Sequence, residues 1–218
     1  ALLTVDQPSA GVVSSNAVVC SGINSGTLTL AGTFTTVNYW EYSTNGGSTW
    51  TNITNTTTSQ NYTNLTITTL YRANVTNGSC PAANTTAATI TVNPTSDGGS
   101  IAATATVLCS GSNSGTIILS GSAGTIAWQY STNGGVTWWT AAGTTNTLNF
   151  LNLTQTTDYR AVVTNGVCSA AISPSSTITV NPVSAGGIVA GSATVCISSN
   201  NGILQLTGYT GNITSWEK

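Results

Sequence analysis

The sequence predicts an all-β fold made of tandem two-sheet sandwiches, with one sandwich per repeat of about 88 residues. Three observations carry that prediction. Apolar residues make up 39% of the chain and alternate with Thr and Ser, with no helical period and no long apolar run. Asn and Gly punctuate the alternating segments at short intervals, as turns between strands require. Whole segments also recur at a fixed interval. Trp40, Trp128 and Trp216 are 88 residues apart, as are Tyr71 and Tyr159, Cys80 and Cys168, and Asn93 and Asn181; Cys20, Cys109 and Cys196 follow at 89 and 87.

The elements of one unit can be justified in order. A Cys-Ser-Gly turn at Cys20 leads into Asn24-Ser-Gly-Thr-Leu-Thr-Leu30, where the leucines share one face and β-branched threonines the other. Next comes Trp40-Glu-Tyr-Ser43, a strand closed by Asn45-Gly46-Gly47, which supplies the positive φ of a hairpin before the outgoing strand near Trp50. Tyr71 opens the penultimate strand, Tyr-Arg-Ala-Asn-Val-Thr, which turns at Asn77-Gly78 toward Cys80. The unit ends in Thr-Ile-Thr-Val-Asn93-Pro94, where proline removes a ladder donor and stops pairing. The resulting division is the end of a preceding repeat and linker at 1–8, repeat one at 9–94, repeat two at 95–182, and the first half of a third repeat at 183–218. The short proline joints predict a semi-rigid rod in place of loosely strung domains.

About seven strands, a tryptophan in the third and a tyrosine at the start of the penultimate one fit the immunoglobulin plan. The cysteine that usually follows that tyrosine by two residues is missing, and Ala73 and Ala161 stand there. Trp40, Trp128, Trp216, Tyr71 and Tyr159 are therefore the expected core. The Cys-Ser-Gly turn, Trp-x-Tyr-Ser-Thr-Asn-Gly-Gly at Trp40 and Trp128, and Tyr-Arg-Ala-x-Val-Thr-Asn-Gly-x-Cys ending at Cys80 and Cys168 resemble the immunoglobulin-like repeats of large secreted surface proteins of gliding Bacteroidetes, exported by type IX secretion. The resemblance implies a structural stalk or adhesin on the bacterial surface, taking part in attachment or gliding, with neighbouring repeats and other copies in a filament as partners.

Composition narrows the functional classes. Only 4% of residues are charged, and the basic residues are Arg72, Arg160 and Lys218, so no patch exists to neutralise phosphate or anionic lipid. Nucleic acid and membrane insertion are not expected. The chain has no histidine, and its acids are Asp6, Glu41, Asp97, Asp158 and Glu217. Glu41 is Gln129 in the next repeat and Asp158 is Leu70, so no carboxylate pair recurs for catalysis and no cluster forms for a metal. No enzyme activity, cofactor or metal is expected. Glu41 is expected across from Arg72 as an exposed pair, with Gln129 across from Arg160.

Ser43 to Trp50, repeated at Ser131 to Trp138, resembles the Asp box of sialidase propellers with Asn in place of Asp, and is expected to brace a hairpin. In the pair Trp138-Trp139 one ring must face outward; Trp139, replaced by Thr51 in repeat one, is the candidate contact for a surface glycan. A glycan-binding module using such aromatics is the alternative function.

Five cysteines at regular spacing, Cys20, Cys80, Cys109, Cys168 and Cys196, suit disulfides in an oxidising, extracellular compartment. Repetition allows three pairings: Cys20 with Cys80 inside one unit, Cys80 with Cys109, or Cys20 with Cys168 between neighbours. Sandwich topology sets the two cysteines of one unit at opposite poles, whereas loop entropy favours joining them. The within-unit bond and the neighbour staple weigh equally, ahead of the sequential pair.

Overall fold

The computed structural model describes residues 10–198 and 200–217, so the expected tail of a preceding repeat at 1–8 and Lys218 lie outside the described residues. The chain divides into two compact units, one holding residues up to Gly98 with 122–125 and 163–171, the other holding the remainder.

Repeat one consists of β1 (Val12–Ser14), β2 (Ala17–Cys20), β3 (Ser25–Ala31), β4 (Thr36–Ser43), β5 (Thr51–Ile53), β6 (Ser59–Thr63), β7 (Thr69–Thr76), β8 (Ala83–Asn84) and β9 (Ala88–Asn93). One sheet runs β1-β3-β6. The other runs β2-β9-β7-β4-β5, with β8 paired to β7. The segment before the Cys-Ser-Gly turn forms two strands that serve opposite sheets: β1 is antiparallel to β3, and β2 is parallel to β9. The switch occurs at Ser15, whose φ of 85° turns the chain between them.

Repeat two reproduces the plan with β10 (Ser100–Ala103), β11 (Val107–Cys109), β12 (Ser114–Ser120), β13 (Thr125–Ser131), β14 (Trp139–Ala141), β15 (Thr147–Leu151), β16 (Thr157–Thr164), β17 (Ala171–Ile172) and β18 (Ser176–Asn181). Its sheets run β10-β12-β15 and β11-β18-β16-β13-β14, with β17 on β16. No helix occurs among the described residues. The fold is all-β, and the strand order is immunoglobulin-like.

The alternation read from sequence is the burial pattern. Leu28 and Leu30 are buried while Thr27 and Thr29 are exposed. Trp40 and Trp128 are wholly buried, and each indole N–H donates to a backbone carbonyl, Thr57 and Thr145 respectively, at 2.9 Å. Ala73 lies directly across from Trp40 in register and is also fully buried, so the small residue at the expected cysteine position leaves room for the indole. Gly26, opposite Tyr62, and Gly115, opposite Phe150, lie beneath those rings, where a Cβ would collide with the ring atoms. That contact accounts for the glycine near the start of β3 and of β12.

Beyond Asn181 the chain contributes β19 (Ile188–Ala190) and β20 (Gln205–Thr207), paired antiparallel. Trp216, expected in the core, is 57% exposed. Only the pair β19-β20 forms there among the described residues, so no facing sheet covers the ring.

Deleting the central indole should be costly and should cost alike in both repeats. Trp40→Ala and Trp128→Ala are each expected to lower unfolding free energy by about 3–5 kcal/mol in urea titrations, whereas Trp139→Ala, at a 59% exposed position, should leave the midpoint nearly unchanged.

Candidate functional site

Three constructions recur, or join the repeats, and carry the chemistry of the chain. The first is the hairpin brace between β4 and β5. The Ser43 hydroxyl accepts from the Gly47 N–H at 2.9 Å and lies 2.9 Å from Asn45 Oδ1; that oxygen accepts from the Thr49 N–H at 3.0 Å, and Asn45 Nδ2 donates to the Thr49 hydroxyl at 2.8 Å. Positive φ falls on Gly46 and Gly47, at 69° and 88°. Ser131, Asn133 and Thr137 repeat the pattern. The Asn amide thus serves as a purely structural crosspiece.

The brace delivers Trp50 onto Arg72. The guanidinium lies 3.9 Å from the indole centroid, and Arg160 lies 4.0 Å from that of Trp138. Arg72 Nε also donates to Glu41 Oε2 at 2.6 Å, and Arg160 Nε donates to Gln129 Oε1 at 2.8 Å. The register across β4 and β7 is as expected, but the exposure is not: Glu41 is buried, while its counterpart Gln129 is half-buried. Sequence reasoning missed the stack, although Trp50 and Arg72, and Trp138 and Arg160, are both 22 residues apart.

The second construction is a cleft at one edge of each sandwich. In repeat one it has a volume of about 420 Å³ and is walled by Tyr42, Tyr71, Ile53, Gln60 and Asn64; in repeat two it has about 430 Å³ and is walled by Tyr130, Tyr159, Leu148, Asn149 and Asn152. The paired tyrosine rings are 6.4 and 6.5 Å apart. Burial first, and then Tyr42 and Tyr62, hold the Tyr71 phenol above its ordinary 10.0; burial and then Tyr130 do the same for Tyr159.

The third is covalent. Cys20 and Cys168 form a disulfide with Cα atoms 5.0 Å apart, so of the three pairings open to the sequence the structure contains the one joining repeat one to repeat two. Both residues belong to the first compact unit, where the Asn165 N–H also donates to Ser96 Oγ at 2.9 Å and Asp97 exchanges backbone hydrogen bonds with Ala123. Gly166 lies against the Asn93 side chain, which fills the space a Cβ would take. Asn24 secures the Cys20 end by donating to the Cys20 carbonyl at 2.7 Å. Cys109 and Cys196 are exposed, and Cys80 is half-buried. Among the described residues no cluster of three His, Cys, Asp or Glu side chains could hold a metal.

A family described as a domain of unknown function (DUF8696) matches residues 9–94 and 97–182. The chain belongs to this family, as two tandem copies. No curated protein matches it. Among solved structures, chicken CNTN1 FN1–FN3 domains match at 16% identity and a TM-score of 0.35, over 78% of this chain and 65% of that one. The N-terminal four Ig domains of Dscam1 isoform 6.9 match at 9% and 0.38, over 83% and 48%. The fibronectin(III)-like modules of Clostridium thermocellum CbhA match at 11% and 0.35, over 79% and 94%. Scores this low add nothing to the fold, which rests on the strand order described above.

The raised phenols set a pH dependence. Above pH 10 the folded chain binds more protons than the unfolded chain, so stability is fully present below pH 10 and falls as pH rises past it. The urea midpoint should decline in that range, and the combined Tyr71→Phe and Tyr159→Phe variant should decline less; equal slopes would refute the assignment.

Proposed function

We propose that this chain is a non-catalytic, load-bearing segment of an extracellular bacterial surface protein, a stalk or adhesin whose repeats are clipped to their neighbours. The observation that carries the reading is the Cys20–Cys168 bond, which couples one repeat to the next where an ordinary sandwich would cross-link itself. Disulfides persist in oxidising compartments, which supports a location outside the cell. The nearly uncharged Thr- and Asn-rich surface suits a spacer, since it offers no strong field to passing macromolecules. The resemblance to secreted repeats of gliding Bacteroidetes adds attachment or gliding as the setting and type IX secretion as the route. Adjacent repeats and other copies in a filament are the partners this reading entails; surface glycans belong to the alternative reading as a glycan-binding module.

A clip between repeats changes how the chain bears tension. Force applied at the two ends passes through the disulfide and bypasses the residues between Cys20 and Cys168, a separation of 148 positions. Single-molecule pulling without reductant should therefore release none of that length. With reductant it should add about 500 Å of contour, at ~3.4 Å per residue, in separate events for the two sandwiches. Release of either repeat in full while the bond is intact would contradict the load-bearing role.

A further inference from the structure

The two edge clefts share part of their lining and differ in the rest. Tyr42, Asn64 and Tyr71 in repeat one stand where Tyr130, Asn152 and Tyr159 stand in repeat two, while Gln60 is replaced by Leu148 and Ile67 by Gln155. The shared residues are the ones that can contact a ligand. Tyr71 and Tyr159 are buried, whereas Tyr42 and Tyr130 are partly exposed and line the same clefts. Among the described residues, no hydrogen bond within the protein engages the hydroxyls of these four tyrosines or the side-chain amides of Asn64 and Asn152, and none of these groups is sealed off from solvent.

The rim is built as well as open. Asn64 and Asn152 adopt left-handed backbone, φ 52° and 55°, which turns the chain at the mouth of the cleft. Each following loop is fixed from behind by one asparagine. Asn24 Nδ2 donates to the Leu65 carbonyl at 2.8 Å and its Oδ1 accepts from the Leu65 N–H at 3.0 Å; Asn113 does the same for Leu153 at 2.7 and 2.9 Å. Such anchoring holds the mouth in place before any ligand arrives, which lowers the ordering cost of binding.

We propose that the two clefts are copies of one binding site for an uncharged saccharide chain. No Asp, Glu, Lys or Arg lines either cleft, so a phosphate, carboxylate or amine would lose water and gain no counter-charge. A neutral sugar has the complementary features, C–H faces to lie on a tyrosine ring and hydroxyls to exchange hydrogen bonds with phenol and amide groups. Both volumes fall within the range of about 300–1,000 Å³ usual for small-ligand sites. The lining positions Gln60 or Leu148, and the exposed Ile67 or Gln155, differ between copies, so the two sites share a ligand class and differ in affinity.

Saturation-transfer NMR on the intact chain, with maltohexaose, cellohexaose, xylohexaose and mannohexaose as probes, tests the proposal. Transfer to at least one probe is expected. Tyr42→Ala combined with Tyr130→Ala should weaken that binding about tenfold or more, the equivalent of about 1.4 kcal/mol. Asn64→Gly combined with Asn152→Gly keeps the left-handed turn and removes only the amides, so it guards against misfolding; it should weaken binding about threefold. Trp139→Ala should change nothing. Transfer to none of the four probes, loss on Trp139→Ala with retention in the tyrosine variant, or tighter binding of oligogalacturonate than of the neutral probes would overturn the assignment. None of those results bears on load bearing, which the pulling experiment reads independently.

Discussion

The covalent bond between Cys20 and Cys168 is the constraint on which the organisation of this chain turns. A bond across 148 positions removes loop freedom from the unfolded ensemble worth about 5 kcal/mol on entropy grounds alone. The matched copies are short, at residues 9–94 and 97–182, and domains of that size bury a limited core, so a contribution of this order is a large part of their stability. The turn that carries Cys20 is common to the repeated segments, since Asn113 and Asn200 donate to the carbonyls of Cys109 and Cys196 as Asn24 donates to that of Cys20. Asn24 holds the Cys-Ser-Gly turn, and Gly166 accepts the Asn93 side chain on the other side.

With so few charges, the surface relies on neutral hydrogen bonds between strands. Ser14 and Thr29 hydroxyls meet at 2.7 Å, Thr27 donates to Asn61 at 2.7 Å, and Thr116 donates to Asn149 at 2.9 Å. Such contacts are not screened by salt as surface ion pairs are. The Glu41–Arg72 pair is sheltered under Trp50, and Gln129 replaces the acid in the second repeat without disturbing the Arg160–Trp138 stack. The stack and the hydrogen bond, common to both copies, therefore define this corner of the sheet more than the ion pair does.

Much of the fold was legible in the sequence because its signals were local and repeated. The alternation in Thr27 to Leu30, the buried Trp40 and Trp128, and the serine and asparagine brace at Ser43 and Asn45 each follow from a short segment. What escaped depends on contacts between distant segments. No alternation pattern marks the division of this segment between two sheets: repeat one turns at left-handed Ser15, and repeat two makes the same switch from β10 to β11 with no left-handed residue between Ala103 and Val107. The stack of Arg72 on Trp50 joins residues from two separate strands, and the clefts need Tyr42, Asn64 and Tyr71 from three separate segments.

Proteolysis of the unreduced chain followed by mass spectrometry of the linked peptides tests the joint most directly. The account predicts a peptide containing Cys20 bonded to one containing Cys168, lost on reduction. A Cys20 peptide bonded to the Cys80 peptide would contradict it, since each repeat would then close on itself and leave its neighbour covalently unclipped.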